Sequence, residues 1–139
     1  MRKVTEDLAF PNGMAVTPNN KTLIVAESYA CRLTAFDISP EGDLSRRRVW
    51  AAVNDHPDGV CLDSEGCVWY ADVGNKRCVR VREGGEILET VELDRGAFAC
   101  VHVQLVLLRD RAGRSGVRSV RGAGCYSSTI NARPGGRAC

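Results

Sequence analysis

PNGMAVTPNNKTLIVAESYACRLTAFDI, residues 11–38, returns further along the chain as PDGVCLDSEGCVWYADVGNKRCVRVR, residues 57–82. With a one-residue gap in a turn, Pro11-Asn12-Gly13 falls on Pro57-Asp58-Gly59. Leu23 to Glu27 then falls on Val68 to Asp72, and Arg32 on Arg77. A fixed period of about 46 residues is the mark of an array or a propeller, and it takes precedence over any local reading. Within each copy, short β-branched and aromatic runs alternate with turn chemistry: Pro18-Asn19-Asn20, Pro40-Glu41-Gly42-Asp43, Ser64-Glu65-Gly66 and Glu83-Gly84-Gly85. The first copy predicts strands near 13–17, 22–27, 31–38 and 46–52; the second predicts them near 59–63, 67–72, 76–82 and 86–92. Four short antiparallel strands per unit describe the blade of a β-propeller. Residues 2–9 are expected to close a preceding blade, and 96–101 to open a following one. The fold class is therefore all-β, a partial propeller of about two four-stranded blades. Two blades cannot close a ring, so exposed blade edges offer a route to association with other chains.

The whole chain has 139 residues, 44% hydrophobic, with a net charge of +2. That balance conceals two different sequences. Of 19 basic and 17 acidic residues, seven and one lie after Val101. The N-terminal stretch MRKVTEDLAFPNG has acidic residues where a signal peptide needs an apolar run. No stretch approaches the ~20 apolar residues of a membrane helix. A cytoplasmic protein without membrane contact is expected. Seven cysteines, an odd number without a Cys-x-x-Cys pair, are expected to be mostly buried, reduced thiols. No P-loop or Gly-x-Gly-x-x-Gly appears, so nucleotide binding has no support.

Asn12 and Asp58 hold equivalent places just ahead of the innermost strands, which in a propeller converge on the central axis. An amide oxygen and a carboxylate are hard donors suited to calcium, magnesium or manganese. On spacing alone, both motifs read equally as turns, because Asn-Gly and Asp-Gly are common turn dipeptides. Glu27 and Asp72 also match each other and suggest an acidic dyad, but a solvated or turn-bonded carboxylate is the expected outcome at the end of an apolar strand. Ser28 would be a nucleophile only beside a base, which no motif places. His56 lies next to the candidate ligand, in a loop where a solvated imidazole is expected. Arg46-Arg47-Arg48 has the look of a nucleic-acid patch, yet with Glu41 and Asp43 nearby it reads as a solvated blade edge.

FPNGMAVTPNNKTLIVAES, PDGVCLDSEGCVWYAD and NKRCVRV together resemble the C-terminal half of the gluconolactonase, senescence marker protein (regucalcin) and luciferin-regenerating enzyme family, over roughly residues 4–101. The resemblance implies a six-bladed propeller that hydrolyses sugar lactones with one divalent cation, Ca2+ or Zn2+, on its axis. By motif it makes Asn12 and Asp58 metal ligands, with Asp58 also a catalytic general base and the cation a Lewis acid at the lactone carbonyl. The family's remaining Glu ligand and its substrate-gripping Arg and Asn belong to earlier blades that this sequence does not contain. No substrate-binding residue is thus assigned, and the chain is expected to be a lactonase fragment inactive alone. The alternative is a non-catalytic propeller piece acting only through a partner chain. A small-molecule lactone is the expected partner, and nucleic acid is not.

After Val101 the pattern breaks. HVQLVLLRDRAGRSGVRSVRGAGCYSSTINARPGGRAC, residues 102–139, has seven Arg, no Lys and no strand periodicity beyond Leu108. Such enrichment fits translation of a GC-rich gene out of frame. The division expected is a partial propeller over 1–101 and an irregular or disordered, frameshifted tail over 102–139. An arginine-rich arm for RNA or DNA phosphates is the functional alternative. It is weakened by the missing lysines and by Tyr126 being the sole aromatic.

Overall fold

A computed structural model describes residues 3–101, 119–120 and 123–126, with side chains up to Cys100. Strands β1 (Pro11–Val16), β2 (Thr22–Glu27), β3 (Arg32–Ile38) and β4 (Leu44–Ala52) form an antiparallel sheet in chain order. β5 (Pro57–Leu62), β6 (Val68–Asp72), β7 (Arg77–Val81) and β8 (Ile87–Glu92) build the same sheet again. These are two successive blades of a partial propeller, as the repeat predicts. β9 (Ala99–Val101) starts a third sheet. It pairs with β11 (Ala123–Tyr126), which in turn pairs with β10 (Ser119–Val120). Those last two strands fall within the stretch expected to be irregular; the rest of 102–139 lies outside the described residues.

Turn chemistry sets the strand lengths. Between β5 and β6, Asp63 accepts hydrogen bonds from the backbone N–H groups of Glu65 (2.9 Å) and Cys67 (3.0 Å), and Gly66 takes φ 78°. An Asx-type turn of this kind replaces ladder bonds with side-chain ones. In the first blade, the Thr17 hydroxyl accepts from Thr22 N–H (3.0 Å) and donates to Asn19 (2.8 Å). One 3-10 turn, Ser28–Ala30, follows β2 and ends at Cys31 in the left-handed region, φ 50°. The strand expected near 2–9 is absent among the described residues 3–8. Asp7 and Phe10 both take positive φ, which breaks an extended run, and Arg47 holds the segment by its Glu6 and Asp7 carbonyls.

The blades meet through alternate residues of their inner strands. Ile24, Ala26, Leu33, Ala35 and Trp50 of the first pack with Val68, Tyr70, Val79 and Val81 of the second. Each large aliphatic side chain removed from water in this way contributes about 1.5–3 kcal/mol. Trp69, Ala71 and Cys78 point the other way and are covered by Ala97 and Cys100. β6 is consequently buried at all five positions, because its blade is flanked on both faces. Cys31, Cys61 and Cys67 carry free thiols, as expected, whereas Cys78 is disulfide-bonded.

Candidate functional site

Asn12 and Asp58 occupy matching irregularities. Between Pro11, opposite Glu27, and Met14, opposite Val25, three steps on β1 face two on β2; Pro57 to Val60 against Asp72 to Tyr70 repeats this. A bulge of one extra residue re-aims the side chains within it. Each Pro-x-Gly triplet therefore presents its central residue at the start of an innermost strand. The glycines bring these strands together. A Cβ on Gly13 would lie 2.5 Å from Val60 N and 2.6 Å from the Asp58 carbonyl oxygen. One on Gly59 would lie 2.6 Å from the Phe98 carbonyl oxygen. β1, β5 and the segment entering β9 thus approach backbone to backbone, and Asn12 and Asp58 sit side by side in sequence with the first two contacts.

Asp58 is half-buried, and burial raises its carboxyl above the ordinary range. Among the described residues no cation or hydrogen-bond donor reaches its side chain. The other buried acids are all satisfied. Burial alone would raise Glu27, but hydrogen bonds from Arg32, Thr34 and Ala9 N–H and the Arg32 charge outweigh it and hold the carboxyl at about 2. Asp72 accepts from Arg77 and Asn75, and Asp55 from Arg77 and Tyr70. Asp63 is bound by Arg80 at 2.7 Å, which with the turn N–H groups lowers its carboxyl despite burial. The Glu27–Asp72 pair is accordingly two structural ion-pair centres, one per blade. Asp72 is turn-bonded as expected; Glu27 is fully buried and not solvated.

Asn12 Nδ2 donates to Ser28 Oγ (3.0 Å), and Ser28 Oγ donates to the Pro57 carbonyl (2.6 Å). Ser28 is no nucleophile here, since its one proton is committed to a backbone oxygen. His56 Nδ1 lies 2.9 Å from the Ser28 carbonyl, which can only accept, so Nδ1 carries a proton and donates it there. His56 is exposed, as expected of a solvated loop histidine, and is in addition tethered through that bond. Sequence reasoning missed Ser28 as a junction. The repeat aligns it with Val73, so the self-comparison that exposed Asn12 and Asp58 has no partner to show there.

The two donors fit a hard divalent cation in kind: an uncompensated carboxylate and an amide whose Oδ1 receives no bond among the described residues. They do not complete a shell. Among the described residues no group of three or more His, Cys, Asp or Glu could hold a metal. A cleft of about 400 Å³ lined by Ala15, Val16, Val60, Cys61 and Leu62 opens at the far ends of β1 and β5. It is mostly apolar and away from both donors. Each arginine of the triplet is paired: Arg46 and Arg48 with Asp37 (3.4 and 2.7 Å), and Arg47 with Glu27 (3.3 Å), which Arg32 shares. No helix among the described residues is long and apolar enough to cross a membrane.

Residues 1–103 match the family described as the SMP-30/Gluconolactonase/LRE-like region. The chain belongs to that family. Among curated relatives, this SMP-30/gluconolactonase-like chain is 31% identical to regucalcin of Oryctolagus cuniculus over 107 residues, covering 72% of the chain and 36% of the relative. It is 29% identical to L-arabinolactonase of Azospirillum brasilense over 116 residues, 81% of the chain and 37% of the relative. Among solved structures, a gluconolactonase of Xanthomonas campestris superposes with a TM-score of 0.61 at 32% identity, covering 71% of this chain and 33% of that one. The chain spans about a third of the length of these relatives.

Proposed function

We propose that this SMP-30/gluconolactonase-like chain is part of a lactonase that hydrolyses sugar lactones with one divalent cation, Ca2+ or Zn2+, and that it is inactive by itself. The observation that carries the reading is the half-buried, unpartnered carboxylate of Asp58, delivered by the same bulge that delivers Asn12. Gluconolactonase and L-arabinolactonase among the relatives supply the substrate class. A bound cation would supply Lewis-acid polarisation of the lactone carbonyl. Asn12 Oδ1 and Asp58 are the donors of this chain. Asp58 also accepts the proton of the attacking water, a role helped by burial that raises its proton affinity. A cytoplasmic location belongs to the same proposal, supported by the free thiols of Cys31, Cys61 and Cys67 among the described residues.

The test is a chimera in which residues 4–101 replace the matching third of a full-length gluconolactonase. Hydrolysis of an aldonolactone, followed by proton release, is expected to need added cation and to be lost in Asp58→Asn. Undiminished hydrolysis in that variant would sink the assignment. A second reading, a non-catalytic piece that acts through a partner chain, is favoured by exposed Met14 (63%) and Val16 (45%) on β1. Binding of the wild-type chain to an N-terminal propeller half, with no cation-dependent hydrolysis by the complex, would support it instead.

A further inference from the structure

A carboxylate presents two equal oxygens, whereas an amide presents an acceptor on one side and a donor on the other. Only the amide has to be turned the right way round. Asp58 needs no such device, and its blade has Val73 at the place where the first blade has Ser28. Ser28 is nearly buried, 5% exposed, and is fixed from every side. Its N–H donates to the Phe10 carbonyl (3.1 Å), and its own carbonyl accepts from His56 Nδ1 (2.9 Å) and Cys31 N–H (3.3 Å). Its hydroxyl sits 2.6 Å from the Pro57 carbonyl. Because a carbonyl oxygen only accepts, the hydroxyl proton lies on that bond and the lone pairs face Asn12. The flipped amide would set Oδ1 against an oxygen that has no proton left to give. Nδ2 therefore faces Ser28, and Oδ1 is left to meet a ligand.

We propose that Ser28 is a positioning residue that locks the Asn12 amide with Nδ2 inward and Oδ1 outward, making it a cation donor, while tying it through the Pro57 carbonyl to the residue before Asp58. The inference rests on the reading of Asn12 as a cation ligand. Outer partners of metal ligands act in this way, and their removal costs about 10- to 100-fold in affinity.

The experiment is NMR on the 15N-labelled full chain, with and without Ca2+ or Zn2+. The Asn12 side-chain amide protons are expected to exchange about tenfold more slowly than those of exposed Asn54. Ser28→Ala is expected to abolish that protection, and Ser28→Thr, which keeps a hydroxyl, to retain it. Cation affinity should fall about tenfold in Ser28→Ala, and the same substitution should have no further effect in an Asn12→Ala background. The proposal is overturned if the wild-type Asn12 amide exchanges as fast as that of Asn54, a comparison that needs no variant to fold. It is overturned equally if Ser28→Ala leaves the amide protected or weakens cation binding just as much without Asn12. A wild-type chain that binds no cation but shows the Ser28-dependent protection upholds the orientation and refutes the cation reading of Asn12.

Discussion

Asp58 and Glu27 are both carboxylates at blade ends, and their surroundings send them in opposite directions. Asp58 loses hydration with nothing in return, so at neutral pH it works against the fold; protonation or a cation relieves it. Asp58→Asn is expected to raise the cation-free melting temperature, by up to about 1 kcal/mol of stability, while removing Ca2+- or Zn2+-induced stabilisation in the same thermal scan. Lower stability in cation-free Asp58→Asn would contradict the assignment. Glu27 behaves oppositely. Its folded carboxyl titrates at about 2 against an ordinary 4.5, so the stability it contributes is complete above about 4.5 and is lost as the pH falls toward 2. The shift corresponds to a contribution on the order of 3 kcal/mol. Glu27→Gln should flatten the acid limb of stability against pH in urea titrations; an unchanged limb would show that the Arg32 and Arg47 pairings are idle.

At the scale of the strand, the two bulges and the glycines that follow them set where the donors go. Gly13→Ala is expected to cost about 1–3 kcal/mol by chemical denaturation, because its Cβ would meet Asp58, Gly59 and Val60 backbone atoms under 3 Å away, none of which can swing aside. Gly66→Ala meets nothing within 4 Å and is strained only through its φ of 78°, so its cost should be smaller, about 1 kcal/mol. The eight blade strands were legible in the sequence because turn residues and β-branched runs alternate at a repeated period. Asn12 and Asp58 were legible because the two copies align. What escaped has a physical reason in each case. A one-residue register shift leaves no mark in composition, so β1 and β5 begin two residues before the predicted starts. Arg32 and Arg77 align in the repeat, yet they answer Glu27 and Asp72 only because they stand directly across the ladder from them. The positive φ of Asp7 and Phe10 carries no glycine to announce it, which is why residues 2–9 read as a strand.

For the molecule as a whole, the second blade is covered on both faces, whereas the first packs one face on the second blade and on the other buries Val25, Thr34 and Phe36 but not its outer positions. Val49 (57%) on β4, Met14 and Val16 on β1, and Ile87 (52%) on β8 remain open to solvent. Apolar exposure on sheets of this kind favours pairing with further chains. The purified chain is expected to sediment as concentration-dependent oligomers, and Met14→Lys with Val49→Lys to shift it toward monomer. A monodisperse wild-type monomer at high concentration would show that these positions are harmless. The matched bulges also bear on descent. A unit that carries its own bulge carries its own way of presenting a side chain at the start of its first strand, so duplicating the unit duplicates that presentation, and whichever residue follows the proline arrives at the same place. Asparagine and aspartate differ by a single base. The charge presented at that position can therefore be inherited and altered one blade and one nucleotide at a time, with the scaffold left untouched.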